Sequence, residues 1–203
     1  MNKVIRILIF SDFFIFFGFG LFAPIFAVFI TKQISGADMV TIGIATMIYW
    51  TVTSLLRIPI SRFLDKTDGE FDDFISLILG SFILVLVPIL YIFAKTPTHI
   101  FIIEGFYGLG AALAIPPWYA IFTRHINKTK EAFSWSMETI GIGIGSSISA
   151  LAGSWIAENY GFQIVFIFSA LLNLTGAIIL GKIFYNLKKK ASENDVLPIK
   201  KEL

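Results

Sequence analysis

The sequence predicts an all-α membrane protein of six transmembrane helices, and three observations carry that expectation. The 203 residues are 56% hydrophobic and 15% charged. An ordinary soluble domain has about 25% charged residues, so this chain has too little charge to cover a globule of its size. Six runs are each long and apolar enough to cross the hydrocarbon core, which takes about 20 residues as a helix. Threaded up and down, these runs leave only Lys32 and Lys95 on one side, and the other fourteen of the 16 Lys and Arg residues on the opposite side. By the positive-inside rule the basic side is cytoplasmic and holds both termini. The expected location is a bacterial-type plasma (inner) membrane, with the chain a multi-pass integral protein in contact with the lipid bilayer.

The runs lie at about 7–31, 40–62, 74–94, 100–122, 135–157 and 164–185, forming one domain over 1–187 before a polar cytoplasmic tail, 188–203. The first opens on "MNKVIR", a basic start like that of a signal peptide. Its length and Asp12 favour a retained helix. Asp12, Phe16, Gly20, Ala23 and Ala27 share one face, and Pro24 is expected to bend the helix. In the second run Thr46, Trp50, Thr53 and Arg57 are spaced 4, 3 and 4, a polar stripe expected to look into the bundle. Arg57 lies in the inner third and either pairs with Asp12 or Glu138 or snorkels to the headgroups.

The third and sixth runs are the most uniformly apolar, and Asn173 in the sixth reads as interhelical glue. The fourth begins with Glu104 near the outer surface and carries Gly108 and Ala111 or Ala112 on its face. Pro116 and Pro117 follow, each removing a backbone donor. Trp118 and Tyr119 stand beside that expected break, so Glu104, Pro116, Trp118, Tyr119 and Asn173 are candidates for lining a cavity. In the fifth run Glu138 leads into Gly141, Gly145, Ser149 and Gly153, a small-residue stripe that lets another helix approach closely. The stripe alone does not say whether that helix belongs to the same chain. The lysines at 188–190 suit attraction to anionic lipid.

Several function classes are excluded. With no Cys there is no disulfide, thiolate metal site or Cys nucleophile. A net charge of +2 without a basic stripe gives no nucleic-acid partner. "DKTDG" at 65–69 resembles the opening of the CDP-alcohol phosphotransferase signature. However, Asp72 and Asp73 stand where that family has Ala-Arg, and "FISLILGSFILVLVP" supplies none of the further aspartates that its metal ions need. His99 and His125 fall at helix ends, away from any paired serine. No enzyme activity, metal or cofactor is expected.

The acidic connection "SRFLDKTDGEFDD" is more similar to a gating loop of the major facilitator superfamily, G-x-L-a-D-R-x-G-R-R. Asp65 and Lys66 match its Asp-Arg and Gly69 its second glycine one residue late. Ser61 replaces the first glycine, and Glu70 stands where a base is expected. "EGFYGLGAALAIPPWYA" resembles the family's fourth-helix pattern through Gly108, Gly110 and Pro116, with Glu104 in place of its Arg. "AGSWIAENYGFQIVF" resembles the turn between helices five and six through Gly153, Gly161 and Phe166. The fifth-helix antiporter pattern is partial, with Gly141 and Gly145 present and Ser146 in place of its proline.

The resemblance implies one six-helix half, built as a 3+3 inverted repeat, of a secondary transporter for a small solute. It makes Asp65, Lys66 and Gly69 the gating loop, and Asp12, Arg57 and Glu138 intramembrane charges for gating or coupling. A full transporter of this kind has two halves with the solute between them. The expectation is therefore a homodimer or a pairing with a second half, and a cavity lined by the first and fourth helices. A non-transporting accessory subunit or a truncated copy is the alternative. No residue set identifies the solute.

Overall fold

The computed structural model describes residues 2–66 and 70–196, with side chains as far as Lys182. Among the described residues, seven α-helices make up six membrane-length spans: α1 Lys3–Phe22, α2 Phe26–Gln33, α3 Met39–Leu64, α4 Phe71–Phe93, α5 Pro97–His125, α6 Glu131–Tyr160 and α7 Phe162–Val196. The helices overrun the expected apolar runs at most ends, because polar first and last turns continue a helix beyond its hydrocarbon-spanning part. The difference is largest in α7, which was expected to stop near 185 and runs through the lysines to Val196. Gly69 and residues 197–203 lie outside the described residues.

Local chemistry sets the ends. Asn2 accepts a hydrogen bond from the Val4 amide at 3.2 Å and caps α1. Asp38 and Thr41 form a reciprocal capping box on α3. The Thr41 amide donates to Asp38 Oδ1 at 2.8 Å and the Asp38 amide donates to Thr41 Oγ1 at 3.2 Å. Pro97 sits in the first turn of α5, where its missing N–H costs nothing. Gly161, at φ 86°, makes the tight turn from α6 to α7 that a Cβ would strain.

Pro24 does more than bend the first span: a 3₁₀ turn over Ala23–Ile25 separates α1 from α2. Pro116 and Pro117 do not break α5, which is helical from Pro97 to His125. The ring of Pro117 leaves the Leu113 carbonyl without its usual amide donor, and the Ser76 hydroxyl of α4 donates to it at 2.8 Å. A neighbouring helix thus supplies the bond that proline removes, and the expected irregularity is absorbed.

α1 packs on α6 and α7, α5 packs on α3 and α4, and α4 also packs on α7. The buried apolar residues form two clusters. One gathers Leu8, Leu77, Trp118, Phe122 and Leu180, and the other Phe22, Phe29, Tyr91 and Phe166. α3 and α6 are the least buried spans. The small-residue stripe of α6 is used inside the chain: Gly145 faces Phe13, and Gly153 lies directly against the Leu21 backbone. Its neighbour is therefore α1, and the stripe gives no free interface.

The two ends of the bundle differ in charge. Ser35 and Lys95 meet at one end through a backbone hydrogen bond of 3.1 Å. At the other, the Asn2 side-chain Nδ2 donates to the His125 carbonyl at 3.5 Å, and Lys3, Arg6 and Lys182 line one recess.

Candidate functional site

Within the bundle, α1, α4, α5, α6 and α7 line a half-open chamber of about 260 Å³. The face of α5 that lines it repeats at helical spacing through Tyr107, Ala111, Ala114 and Trp118. The alanines leave the space and the aromatic residues bound it. From α1 come Asp12 and Phe19, and from α6 comes Glu138. Phe19 stacks on Tyr107 with centroids 5.2 Å apart and planes 6° apart. Trp118 stacks on Phe122 at 4.7 Å on one side and meets Tyr119 edge-on at 5.3 Å.

Asp12 is 8% exposed, and no basic side chain pairs with it among the described residues. Glu138, half-buried, shares the cavity and lies within its electrostatic reach. The buried Trp118 indole N–H approaches the Asp12 carboxyl but completes no hydrogen bond of ordinary geometry. Two carboxyl groups and one unused donor therefore stand in a chamber otherwise lined by apolar and aromatic side chains and by Ser81.

The structure brings together Asp12, Glu138, Trp118 and Tyr119, four of the residues singled out from sequence. The others sit elsewhere. Arg57 forms no ion pair with Asp12 or Glu138, because α3 packs against α5 and Asp12 turns from α1 toward α5 and α6. Its side chain is half-buried and its Nε has no partner among the described residues. The polar stripe of α3 does not look inward as a unit. Only Thr53 is buried, donating to the Gly108 carbonyl of α5 at 3.2 Å. Trp50 is 56% exposed, and Thr46 is exposed with its hydroxyl satisfied by the Ile42 carbonyl of its own helix.

Glu104 is 4% exposed but belongs to a different cluster, accepting a hydrogen bond from the Tyr91 hydroxyl at 2.7 Å. Pro116 is half-buried on α5 and does not line the chamber. Asn173 is buried at 1% exposure against α1, in the space that Gly18 leaves open, and its amide atoms have no partner among the described residues.

Asp65 ends α3 as its C-cap, and both Asp65 and Lys66 are exposed. The acidic connection is tied down at Asp73. This residue is buried in the first turn of α4 and forms an ion pair with Arg124 at the end of α5. Glu70 lies 3.6 Å from His125 beside it. Arg124 is thus held in the combined field of Asp73, Glu70 and Asp65. The sequence reading missed this latch, as well as Phe19 and Tyr107. The spacing Tyr107–Ala111–Ala114–Trp118 was a usable signal for the second.

Among the described residues, no group of three His, Cys, Asp or Glu could hold a metal ion.

Comparisons with known proteins converge on one family. The sequence profile described as Major Facilitator Superfamily matches residues 8–200. An uncharacterized MFS-type transporter of Methanocaldococcus jannaschii is 25% identical over 162 residues, covering 80% of this chain and 40% of that protein. The fold matches the in meso crystal structure of the POT family transporter PepTSo with a TM-score of 0.74 at 13% identity, covering 89% of this chain and 37% of that one. The chain spans about 40% of the length of the curated relative it matches. With nearly every residue inside the family profile and six membrane-length helices in the matching fold, the protein belongs to the Major Facilitator Superfamily.

Proposed function

We propose that the chain forms one six-helix half of a secondary transporter for a small solute, working as a homo-oligomer or with a second half. The observation that carries this reading is the chamber bounded by Asp12, Glu138 and Trp118. Intramembrane carboxyl groups are costly and usually mark a solute or ion pathway, and here two of them face one cavity. The share of the relative that the chain covers, 40%, supports a missing complement, since a full transporter of this kind has two halves. The basic end of the bundle is the cytoplasmic one in a plasma membrane. There the Asp65–Lys66 connection acts as the gating loop and the Asp73–Arg124 pair holds it to α5. Asp12 is the candidate coupling group.

Two measurements test the proposal. Native mass spectrometry in lipid nanodiscs is expected to show a dimer or a co-purifying six-helix partner. Proteoliposomes of that assembly are expected to move a solute in a counterflow screen, with Asp12→Asn abolishing uptake driven by a pH gradient. A strict monomer that moves no solute would remove the transporter reading. PH-driven uptake that survives Asp12→Asn would remove Asp12 as the coupling group.

A further inference from the structure

The chemistry of the chamber restricts what it can hold. No Lys, Arg or His lines it among the described residues. Arg124 is engaged with Asp73, and Arg57 lies on α3, which does not contribute to the walls. An anionic solute would meet two carboxyl groups with no base from this half to offset them. A bare divalent ion needs about six to eight oxygen ligands, and among the described residues no three His, Cys, Asp or Glu side chains stand together to hold one. A monovalent cation with an apolar body suits every wall. Its charge faces Asp12 and Glu138, and its body fills the aromatic side bounded by Phe16, Phe19, Tyr107 and Trp118. The space of about 260 Å³, open on one side, admits a compact ion.

We infer that this chamber selects monovalent organic cations, quaternary ammonium ions or protonated amines with a small aromatic or alkyl body, through Asp12 and Glu138. The inference rests on the reading of the chamber as the solute site. Charge sets the selection and the aromatic walls set only size, so a neutral molecule of the same shape binds weakly.

The test uses three probes on the full chain in nanodiscs, by isothermal titration corrected against empty nanodiscs. Phenyltrimethylammonium is the cation. tert-Butylbenzene is its neutral isostere, with carbon in place of nitrogen. Benzenesulfonate is an anion of similar size. The cation is expected to bind at least tenfold more tightly than either of the others. Asp12→Asn and Glu138→Gln should each weaken it tenfold or more, and should cost the neutral isostere much less. Glu138 is half-buried, so Glu138→Gln keeps the test usable if Asp12→Asn impairs folding. Ile142→Trp, on the α6 wall, should block the cation. Equal or tighter binding of tert-butylbenzene or benzenesulfonate, abolished by Ile142→Trp, would overturn the cation class and leave the chamber as a solute site. Cation binding indifferent to both carboxyl substitutions would also overturn the inference. Binding of none of the three would overturn the inference together with the solute-site reading.

Discussion

Replacing Gly80 with alanine tests how α4 and α5 hold the chamber open. A Cβ at Gly80 would lie 2.6 Å from the Ala114 amide nitrogen, 2.7 Å from the Gly110 carbonyl oxygen and 2.9 Å from the Ala114 Cβ. The first two are backbone atoms of a neighbouring helix and cannot rotate away. Ordinary contact begins near 3.4 Å, so α4 and α5 must separate locally by about 0.8 Å. Overpacking of this kind costs about 1–3 kcal/mol. Gly→Ala also favours the helix by up to about 1 kcal/mol, which would mask part of the loss. Gly105→Ala on α5 removes that ambiguity: it carries the same helix gain, and nothing lies within 4 Å of its Cβ. The difference between the two variants therefore isolates the contact, and is expected to be about 1–3 kcal/mol against Gly80→Ala. For a chain of this size that is a lower melting temperature by several degrees, on the order of 2–4 °C per kcal/mol. Thermal unfolding in detergent, followed by circular dichroism, reads it. Two variants that melt within about 1 °C of each other would refute the close approach of α4 and α5. Ala114 lines the chamber, so the same variant should also loosen solute binding.

Two further outcomes follow from the ion pair and the cap. Arg124→Gln leaves the Asp73 carboxylate, 3% exposed, without its partner, whereas Asp73→Asn leaves an Arg124 that is already 40% exposed and can hydrate. Losing a buried partner costs about 3–5 kcal/mol, and exposure of the arginine reduces this to roughly 1–3 kcal/mol. Arg124→Gln should therefore cost more stability than Asp73→Asn in chemical unfolding, with the double variant near Asp73→Asn; equal single costs would contradict the latch. At the start of α3, hydrogen bonds from the Thr41 amide and hydroxyl hold the Asp38 carboxyl below its ordinary value. Its capping contribution is complete above an unfolded value of about 3.9 and fades as pH falls through the lower folded one. Asp38→Ala should lower α3 protection by a constant amount across pH 5–8 and remove its acid-dependent part below about pH 4. Hydrogen exchange across residues 38–45 would show it, and an unaltered acid response would rule out the box.

Much of the architecture was legible from the chain because the bilayer admits few solutions. A run that must satisfy its own backbone bonds in hydrocarbon becomes a helix, so the six spans and their order followed from hydropathy. Pro24 announced its break and Gly161 its turn. The candidate site was only partly legible. Asp12, Glu138, Trp118 and Tyr119 stood out as expensive or amphipathic residues in apolar runs, yet nothing in their spacing says that three different helices aim them at one chamber. Pro116 and Pro117 misled for a related reason, since the hydroxyl that repairs α5 comes from Ser76, far away in sequence.

What the amino-acid order determined by itself was therefore the one-dimensional content: the spans, the interruption at Pro24, and the family pattern of loops and glycines. Tertiary structure alone decided partnership. It assigned the small-residue stripe of α6 to α1 of the same chain, paired Asp73 with Arg124, gave Glu104 to Tyr91, and left Arg57 away from both carboxyl groups considered as its partner. The physical reason is that hydropathy and propensity act along the chain, residue by residue. A salt bridge or a chamber depends on which helix faces which, and that is settled by how glycines and alanines let particular surfaces approach.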